Sequence, residues 1–331
     1  MTQATGTFSS YQSNRLREEF RDAIYMISPE ETPFWSLADH ESIVSKHPEW
    51  QTDTLATPSS TNQQIEADDY AYVAPSATTR IGNYTETAWK SYIISDSYEE
   101  HSKAGPNSEL GRERRKKGLE LRQDMEVALL ANKASVVGTD TAARKTGGFA
   151  AWITSNESRG GGSDGGFASG TVAASTTGTQ RAFERSQLDT VLLNCQTSGG
   201  QPSILMLSPY LKQVFSGFMQ GAATAVIQTN ISGEKDATIY ASASRYVSDF
   251  GPIDVLVNRQ LHRAGAQLAK RAYVIDTSKV SIGILRDIQE DRPAKTGDAE
   301  KRVIKCEYAL IMKNQAAHAT IEDLFGLTAS T

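Results

Sequence analysis

Apolar positions recur with the period of a helix in two stretches of the chain. In the first, from Tyr11 to Leu37, they form one helical face, and the prolines at positions 29 and 33 end it because the residue before a proline is pushed out of the helical conformation. The second stretch, from Pro106 to Ala134, carries the strongest helical pattern, with Asn107 or Ser108 expected as its N-cap. The pattern therefore predicts a short amphipathic arm and, further along, one long helix.

Near the carboxyl end the period changes to two, which is typical of a strand. In "VIKCEYALIMK" alternate residues are apolar and fall on one face, while Lys305, Glu307 and Lys313 fall on the other. The apolar face consists of Ile304, Cys306, Tyr308, Leu310 and Met312. We expect a half-buried strand that packs against the long helix.

A polar and aromatic stretch, from His47 to Gly105, lies between the arm and the long helix. Its Thr, Ser and Tyr residues favour extended structure but lack a one-sided apolar alternation. We interpret it as a two-stranded excursion, with "EWQTDTL" at 49–55 as the outgoing strand and the stretch from Tyr84 to Tyr98 as the returning strand. An isolated hairpin of this length is barely stable in water, and its free edges invite pairing with another chain. The excursion is therefore expected to lie on something outside the local fold.

The second half of the chain begins after a polar segment. Residues 155–180 are rich in Gly, Ser and Thr and are expected to form a flexible connector. Beyond them the pattern alternates between helical periods and short apolar runs, as in "RSQLDTVLLNCQTSGG" followed by "PSILMLS". Residues 185–285 therefore predict a compact α/β domain.

Composition and charge exclude some classes of function. With 39% hydrophobic and 22% charged residues the chain is an ordinary globular protein. Its net charge of -5 argues against tight nucleic-acid binding, and the basic run from Arg112 to Lys117 is more commonly a solvated helical face than a nucleic-acid patch.

The sequence has neither a leader segment nor an apolar run of the roughly 18 to 20 residues that cross a bilayer, so we expect a soluble cytoplasmic product with no membrane partner. Cys195 and Cys306 fit neither a disulfide framework nor a metal site, and we interpret them as buried free thiols.

Several short motifs resemble catalytic signatures without their required partners. Lys295-Thr296-Gly297, echoed at 145–147, is a triplet of serine β-lactamases, but the Ser-Asp-Asn element is absent. The stretch from Gly161 to Gly165 matches a hydrolase nucleophile elbow, yet polar linker flanks it where a strand and a helix are required. His40 and His47 could hold a metal in principle, although a solvated turn is the commoner meaning. No Gly-x-x-x-x-Gly-Lys-Ser/Thr phosphate loop occurs, and no Gly-x-Gly-x-x-Gly follows a predicted strand. The sequence therefore predicts no cofactor, no metal and no enzyme activity.

Four separated segments resemble one known family. They are "YMISPEETPFWS" at 25–36, "EWQTDTL" at 49–55, "VSDFGPIDVLVNR" at 247–259 and "AKTGDAEKRVIKCEYALIMKNQAAHATIEDL" at 294–324. In this order they resemble the SU-10-type major capsid proteins of tailed bacteriophages, which have the Hong Kong 97-type (HK97-like) fold. The resemblance implies an α+β fold with an N-arm, an extended loop, a spine helix, a peripheral domain and an axial domain.

The resemblance also implies a division of the chain. An N-arm would cover residues 1–48 and the extended loop residues 49–105. The peripheral domain would cover residues 106–184, with the spine helix at 107–134 and the Gly/Ser-rich connector at 155–180. The axial domain would cover residues 185–285, and residues 286–331 would return to the peripheral domain.

The function implied by the resemblance is structural. Hexamers and pentamers of the chain would close into an icosahedral phage head around double-stranded DNA, assembled in the host cytoplasm. A scaffolding protein, a portal and a decoration protein are expected partners, and contact with the packaged DNA would be weak and non-specific. A phage tail-tube or tail-completion protein is the alternative structural function, and a phage-encoded hydrolase is an alternative of another class.

Aromatic residues dominate interface energetics, so the aromatic residues of the arm and the excursion are candidate contacts between subunits. Packing within the hairpin itself is the competing interpretation for each of them. The arginines of the basic run would face either DNA or an acidic loop of a neighbour. The candidates are Phe34, Trp35, Tyr84, Trp89, Tyr92, Tyr98, Arg112 and Arg115.

Overall fold

The computed structural model describes residue 28 and residues 30–101, 108–221 and 244–328. Most of the predicted amphipathic arm, including its apolar face from Leu16 to Ile27, lies outside these residues. The helices within the described part are α1 (Pro33–Leu37), α2 (Asp96–Glu100), α3 (Glu109–Leu130), α4 (Phe149–Trp152), α5 (Arg185–Thr197), α6 (Pro209–Gly221), α7 (Arg259–Arg263) and α8 (Ala266–Ala269).

The strands fall into several sheets. They are β1 (Asp39–Ser42), β2 (Glu49–Thr52), β3 (Thr79–Gly82), β4 (Glu86–Ser95), β5 (Glu157–Ser158), β6 (Gly166–Ala168), β7 (Thr171–Ala173), β8 (Arg181–Ala182), β9 (Ile204–Leu207), β10 (Arg245–Ser248), β11 (Gly251–Val257), β12 (Ala272–Ile275), β13 (Val280–Asp291), β14 (Ala299–Met312), β15 (Ala319–Ile321) and β16 (Leu324–Gly326).

The long helix predicted from the sequence is α3, with slightly narrower bounds than expected. Its N-cap is Ser108, whose side-chain oxygen accepts a hydrogen bond from the backbone N–H of Gly111 at 3.2 Å. Leu121, Met125 and Leu129 are buried, whereas the first half of the helix is partly or fully exposed. Only the second half of α3 therefore has an apolar face that the chain itself covers.

A four-stranded sheet in the order β1-β13-β14-β4 packs against this helix. The apolar face predicted for β14 is confirmed, since Cys306, Tyr308 and Leu310 are buried in the same core cluster as Leu121 and Met125 of α3. Burying an apolar side chain of this size contributes roughly 1.5 to 3 kcal/mol. The contact between helix and sheet is therefore a main source of stability for this half of the molecule.

The second unit is a six-stranded sheet in the order β10-β11-β9-β12-β15-β5. Its central strand β9 is buried along its whole length, as expected of the apolar run "PSILMLS". Helix α5 packs on the six-stranded sheet through Leu188, Val191 and Leu192. The helix is followed by Gly199, whose φ of 79° is in the left-handed region. Most strands of this sheet come from the region predicted as a compact α/β domain, while β5 and β15 come from outside residues 185–285.

The returning strand of the excursion differs from the prediction. Strand β2 pairs antiparallel with β3, so that Glu49 lies opposite Gly82, and the stretch assigned as the returning strand forms β4 instead. Strand β4 pairs with β14 in the chain's own four-stranded sheet. The physical reason is that Tyr92 and Ile94 both point into the core, which gives β4 a buried face that the sequence pattern did not reveal.

The segment 155–180 is folded into the protein, so its prediction as a flexible connector is wrong. Strands β6 and β7 form a hairpin, and Phe167 stacks on Trp152 with ring centroids 5.7 Å apart. Gly160 lies where an added Cβ would come within 1.9 Å of the carbonyl oxygen of Thr179. The glycines that suggested flexibility therefore permit close approach of two backbone segments.

The chain crosses between the two large sheets near its carboxyl end. Strand β13 belongs to the four-stranded sheet, so the boundary expected at residue 285 falls inside a strand. Strand β15 belongs to the six-stranded sheet, although residues 286–331 were expected to return to the other unit. The two units are therefore tied together by more than one passage of the chain.

Candidate inter-subunit surfaces

Of residues 49–105, expected as the extended loop, residues 53–78 contain no helix or strand and are exposed throughout, and the name extended loop is used for them from this point. Its large apolar side chains have almost no contact with the rest of the chain: Leu55 is 99%, Tyr72 91% and Val73 90% exposed. Ile65 and Tyr70 are similarly exposed. Soluble proteins rarely leave so many large apolar side chains uncovered in one segment unless a partner covers them.

The base of the extended loop is fixed by hydrogen bonds and ring contacts, although residues 53–78 themselves are exposed. The indole N–H of Trp50 in β2 donates a hydrogen bond to the carbonyl oxygen of Met312 at 3.1 Å, and its ring packs 5.7 Å from that of Trp152. Asn83, just after β3, is fully buried and donates to the carbonyl oxygen of Leu310 at 2.8 Å. The loop therefore projects from a fixed position on the four-stranded sheet.

The tip of the extended loop is a tight turn that carries negative charge. The N–H of Asp68 donates to the carbonyl oxygen of Ile65 at 3.3 Å, and Ala67 has a φ of 66°, a left-handed conformation that non-glycine residues adopt rarely. Glu66, Asp68 and Asp69 lie at this turn, and no lysine or arginine occurs between residues 48 and 79. The tip thus combines acidic groups with exposed apolar and aromatic ones.

Phe34 and Trp35, predicted as contacts between subunits, lie in the chain's own core. Phe34 is 1% exposed and packs edge-on against Phe149 at 5.8 Å. Trp35 packs against Tyr308 at 6.3 Å. Their prediction as inter-subunit anchors is wrong because helix α1 folds back onto α3 and β14, which leaves almost none of either ring for a partner.

Two tyrosines of the candidate set also make internal contacts. Tyr92 of β4 is buried, and its hydroxyl donates to the carboxylate of Glu290 at 2.5 Å. Its prediction as a contact between subunits is wrong because β4 lies in the chain's own four-stranded sheet. Tyr84 is half-buried and stacks on the imidazole of His47, with ring centroids 4.1 Å apart. The competing interpretation, packing within the hairpin itself, fits the contact of Tyr84 with His47, whereas Tyr92 contacts Glu290 of β13, outside the hairpin.

Trp89 and Tyr98 are both exposed at the surface of the subunit. Trp89 is 61% exposed and lies beside Ile93, which is 60% exposed, on the outward face of β4. Tyr98 in α2 is half exposed. The structure does not bring these two residues together with the extended loop, and they form a separate candidate surface.

The two candidate arginines have different environments. The guanidinium of Arg112 forms ion pairs with Glu109 and Glu113 on its own helix. Arg115 is exposed, and no described residue forms an ion pair with it. It lines a shallow groove between α3 and β13 together with Gly118 and Arg122.

Sequence reasoning missed the residues of the extended loop tip: Ile65, Tyr70, Tyr72 and Val73. They stand in "QQIEADDYAYVAP", where apolar and acidic residues alternate without any local partner. That mixture of apolar and acidic residues in a polar stretch was the available signal. The prediction instead favoured the aromatic residues of β4, whose own-chain partner strand is distant in sequence.

A buried carboxylate joins helix α1 to the long helix α3. Glu126 of α3 is fully buried and accepts hydrogen bonds from the backbone N–H groups of Phe34 and Trp35, each at 2.8 Å. Its third donor is the side-chain amide of Asn258 at 2.7 Å. Burial raises the pKa of Glu126 to about 7, and these hydrogen bonds partly oppose the increase.

A second carboxylate organises the four-stranded sheet. Glu307 of β14 is 3% exposed and accepts hydrogen bonds from Thr85 at 2.8 Å, from Arg144 at 2.6 Å and from Arg286 at 2.8 and 2.9 Å. Burial alone raises its pKa, but the hydrogen bonds from Thr85 and Arg286 and the charges of Arg144 and Arg286 outweigh burial and hold the pKa below its ordinary value. This carboxylate is therefore ionised and structural.

The motifs that resembled catalytic signatures have structural surroundings. Lys295 forms an ion pair with Asp96, and Ser163 lies 3.1 Å from the hydroxyl of Thr176 rather than beside a base. His40 donates to the carbonyl oxygen of Trp35 at 2.9 Å. Within the described ranges there is no group of three or more His, Cys, Asp or Glu residues that could hold a metal, and no helix there is long and apolar enough to span a bilayer.

Comparison with solved structures identifies the fold. A chain from Gordonia phage Cozz superposes with a TM-score of 0.62 at 12% identity, covering 98% of this chain and 97% of that one. The capsid of a native GTA particle superposes with a TM-score of 0.59 at 12% identity, covering 95% of this chain and 97% of that one. The chain therefore has the α+β Hong Kong 97-type capsid fold, as the sequence resemblance implied.

Sequence comparison narrows the class to one family. The family model of the SU10 major capsid protein matches residues 2–325. A major capsid protein of Escherichia phage Phieco32 is 26% identical, with 98% of each chain covered. The chain belongs to the SU10 major capsid protein family. It is a structural protein of a phage capsid and assembles with copies of itself.

Proposed function

We propose that this chain forms hexamers and pentamers that close an icosahedral phage head around double-stranded DNA. The observation that carries the proposal is the extended loop, a segment with a rigid base and an uncovered apolar length. No described residue covers it, so we assign its cover to another copy of the chain, and identical subunits supply identical surfaces around each ring. Standard-sized interfaces bury about 1,600 Å² in total, and a segment of this length is large enough to contribute a major share of one.

Within this assembly each part of the chain has a proposed position. Residues 1–48 are the N-arm, and the extended loop with its base at β2 and β3 lies across a neighbouring subunit. The helix α3 and the four-stranded sheet form the peripheral domain. The six-stranded sheet with α5 and α6 forms the axial domain, close to the symmetry axis of each ring.

The charge of the chain suits an inner wall that does not grip DNA. A net charge of -5 leaves little attraction for phosphates over a wide surface, so contact with the packaged DNA is weak and non-specific. The chain performs no catalysis in this scheme. It assembles in the host cytoplasm, with a scaffolding protein guiding closure, a portal at one vertex and a decoration protein on the outer surface.

Expression of the chain alone, followed by sedimentation velocity and negative-stain electron microscopy, tests the proposal. Closed shells with hexameric and pentameric units are the expected product, if necessary after co-expression of a scaffolding protein from the same phage. Tubes of stacked rings would instead indicate the alternative structural function in a tail. A chain that stays monomeric at high concentration under both conditions would contradict the proposal.

A further inference from the structure

The segment that contains helices α7 and α8 is basic, although the chain as a whole is acidic. Between Asp254 and Asp276 the sequence contains four arginines and lysines, together with one histidine, and no acidic residue. The chain has a net charge of -5, so the sign of the charge is reversed locally. The local potential, more than the net charge, determines which ligands a surface attracts. This segment is therefore a candidate surface for an anion.

Two of the four basic residues have partners within the chain and two do not. Arg271 lies 3.3 Å from a buried glutamate, and Arg259 lies 3.6 Å from an exposed one. Arg263 is exposed and Lys270 is partly exposed, and neither forms an ion pair with any described residue. The positive charges of Arg263 and Lys270 are therefore not compensated within the part of the chain that the structure describes.

The guanidinium of Arg263 is oriented by uncharged groups. It donates hydrogen bonds to the side-chain carbonyl oxygens of Gln123 on α3 and Gln260 on α7, each at 3.0 Å. Both acceptors are neutral amides, so they fix the guanidinium without cancelling its charge. A guanidinium has more N–H donors than these two hydrogen bonds use. Because its planar group is already oriented, Arg263 loses less side-chain entropy when it binds a phosphate.

The surface beside Arg263 suits a phosphate backbone better than an acidic protein segment. Residues 264–266 connect the two helices and are exposed, and a Cβ added at Gly265 would meet nothing within 4 Å. The leucines of the two helices are not exposed, since Leu261 is buried and Leu268 is partly buried. Protein partners bind mainly through large apolar and aromatic anchors, whereas phosphates are bound by Arg and Lys side chains and by accessible backbone. The chemistry of this surface therefore favours a nucleic-acid backbone as its ligand.

We propose that the segment 259–270 is the surface through which each subunit contacts the phosphates of the packaged double-stranded DNA, with Arg263 and Lys270 as the phosphate-binding residues. This inference rests on the proposed shell function and names the part of the chain that faces the DNA. The contact is independent of sequence, because side chains that bind phosphates do not read the bases. Each subunit binds weakly through two charges, and the many copies in a shell multiply the contact.

Crosslinking in DNA-filled heads tests the placement of the surface. Heads isolated from the phage are treated with formaldehyde, digested with nuclease and protease, and analysed by mass spectrometry. The expected result is a nucleotide adduct on Lys270, which is absent from shells that contain no DNA. Adducts on other lysines of filled heads, with none on Lys270, would overturn the inference.

Neutral substitutions test the two phosphate-binding residues. The variant is Arg263→Gln combined with Lys270→Gln, and a short DNA duplex labelled for fluorescence anisotropy is titrated with unassembled subunits at several salt concentrations. Each phosphate contact contributes about 0.9 to the slope of log K against log salt, so the variant should lower the magnitude of this slope by about 1.8. Its affinity at low salt should fall by about tenfold or more. A variant with the wild-type slope would overturn the inference.

A matched control removes the same charge elsewhere on the same unit. Arg185→Gln combined with Arg245→Gln changes two exposed arginines that lie beside carboxylates, at 3.2 and 3.4 Å, and should keep the wild-type slope. The melting temperature of each unassembled variant checks folding. Lys270→Gln alone, which should lower the magnitude of the slope by about 0.9, serves if the double variant does not fold.

The outcomes distinguish this surface from the shell function on which it rests. Failure of the wild-type chain to form shells would contradict the proposed function itself. Loss of shells in the variant of Arg263 and Lys270, with DNA binding unchanged, would show that an acidic protein segment uses this surface and would overturn the inference. Normal shells together with the wild-type salt dependence in that variant would contradict the DNA contact alone.

Discussion

Glu126 and Asn258 are joined by a hydrogen bond of 2.7 Å that links the long helix α3 to the end of strand β11. The same carboxylate holds the first residues of helix α1 through the N–H groups of Phe34 and Trp35. One side chain therefore connects the helix α3, the end of a strand of the six-stranded sheet and the helix α1. An ionised carboxylate at this position lowers the stability of the folded subunit, because the group is fully buried.

The stability of the subunit depends on the protonation of Glu126. Because its pKa rises from 4.5 to about 7 on folding, the protonated form is favoured in the folded state, and its contribution is complete below pH 4.5 and is lost as the pH rises through 7. Glu126→Gln does not titrate. We expect wild type to lose up to about 3 kcal/mol of unfolding free energy relative to this variant between pH 4.5 and pH 8. Urea unfolding at several pH values measures the difference.

A matched control for this experiment is Glu66→Gln, which changes an exposed glutamate of the extended loop. Its difference from wild type should stay constant over the same pH range. A wild-type-minus-E126Q difference that also stays constant would show that Glu126 does not control this pH dependence.

Glu307 has the opposite pH dependence. Its pKa is lowered on folding, so its contribution is present above its ordinary pKa of 4.5 and is lost as the pH falls through the folded value. Glu307→Gln should destabilise the subunit by about 2 kcal/mol at pH 7, less than for a fully buried ion pair because Arg286 is 44% exposed. Chemical denaturation provides the measurement. Glu300→Gln, which disrupts a pair with the exposed Arg292, should cost no more than about 1 kcal/mol.

Substitutions at Phe34 and Trp89 should separate folding from assembly. Phe34→Ala removes a buried ring that contacts Phe149 and should lower the unfolding free energy by about 3 to 5 kcal/mol. Trp89→Ala changes an exposed residue and should leave the unfolding free energy within about 0.5 kcal/mol. Thermal unfolding of unassembled subunits tests both, and equal losses for the two variants would contradict the placement of these aromatic residues.

The cysteines should report on global unfolding. Cys195 and Cys306 are buried, and burial raises the pKa of each thiol to about 12, so neither is an available thiolate at neutral pH. We expect both to react with a disulfide reagent only at the rate at which the subunit unfolds. Fast labelling of either thiol in native subunits, followed by mass spectrometry to assign the site, would contradict this expectation.

Elements with a strong local period could be predicted from the sequence. The long helix follows from its N-cap at Ser108 and its apolar positions, and β14 follows from the alternation that buries Cys306 and Tyr308. In both cases the residues that define the element are close together in the chain. The resemblance of four segments supplied the family and hence the fold.

Elements that depend on distant partners could not be predicted in the same way. Strand β4 shows little one-sided alternation because its inward residues, such as Tyr92, become buried only against β14, whose partner residues lie about two hundred positions away. The segment around Gly160 resembled a flexible linker because composition does not reveal that two backbones meet there.

The central claim is that the extended loop leaves its own subunit and binds the next one. A cryo-electron microscopy reconstruction of shells formed by the wild-type chain tests it most directly, because the path of residues 53–78 can be traced from its base at Trp50. The account predicts density for residues 53–78, including Ile65 and Tyr70, against the surface of a neighbouring subunit. Density that shows the loop folded back over the subunit from which it starts would contradict the account.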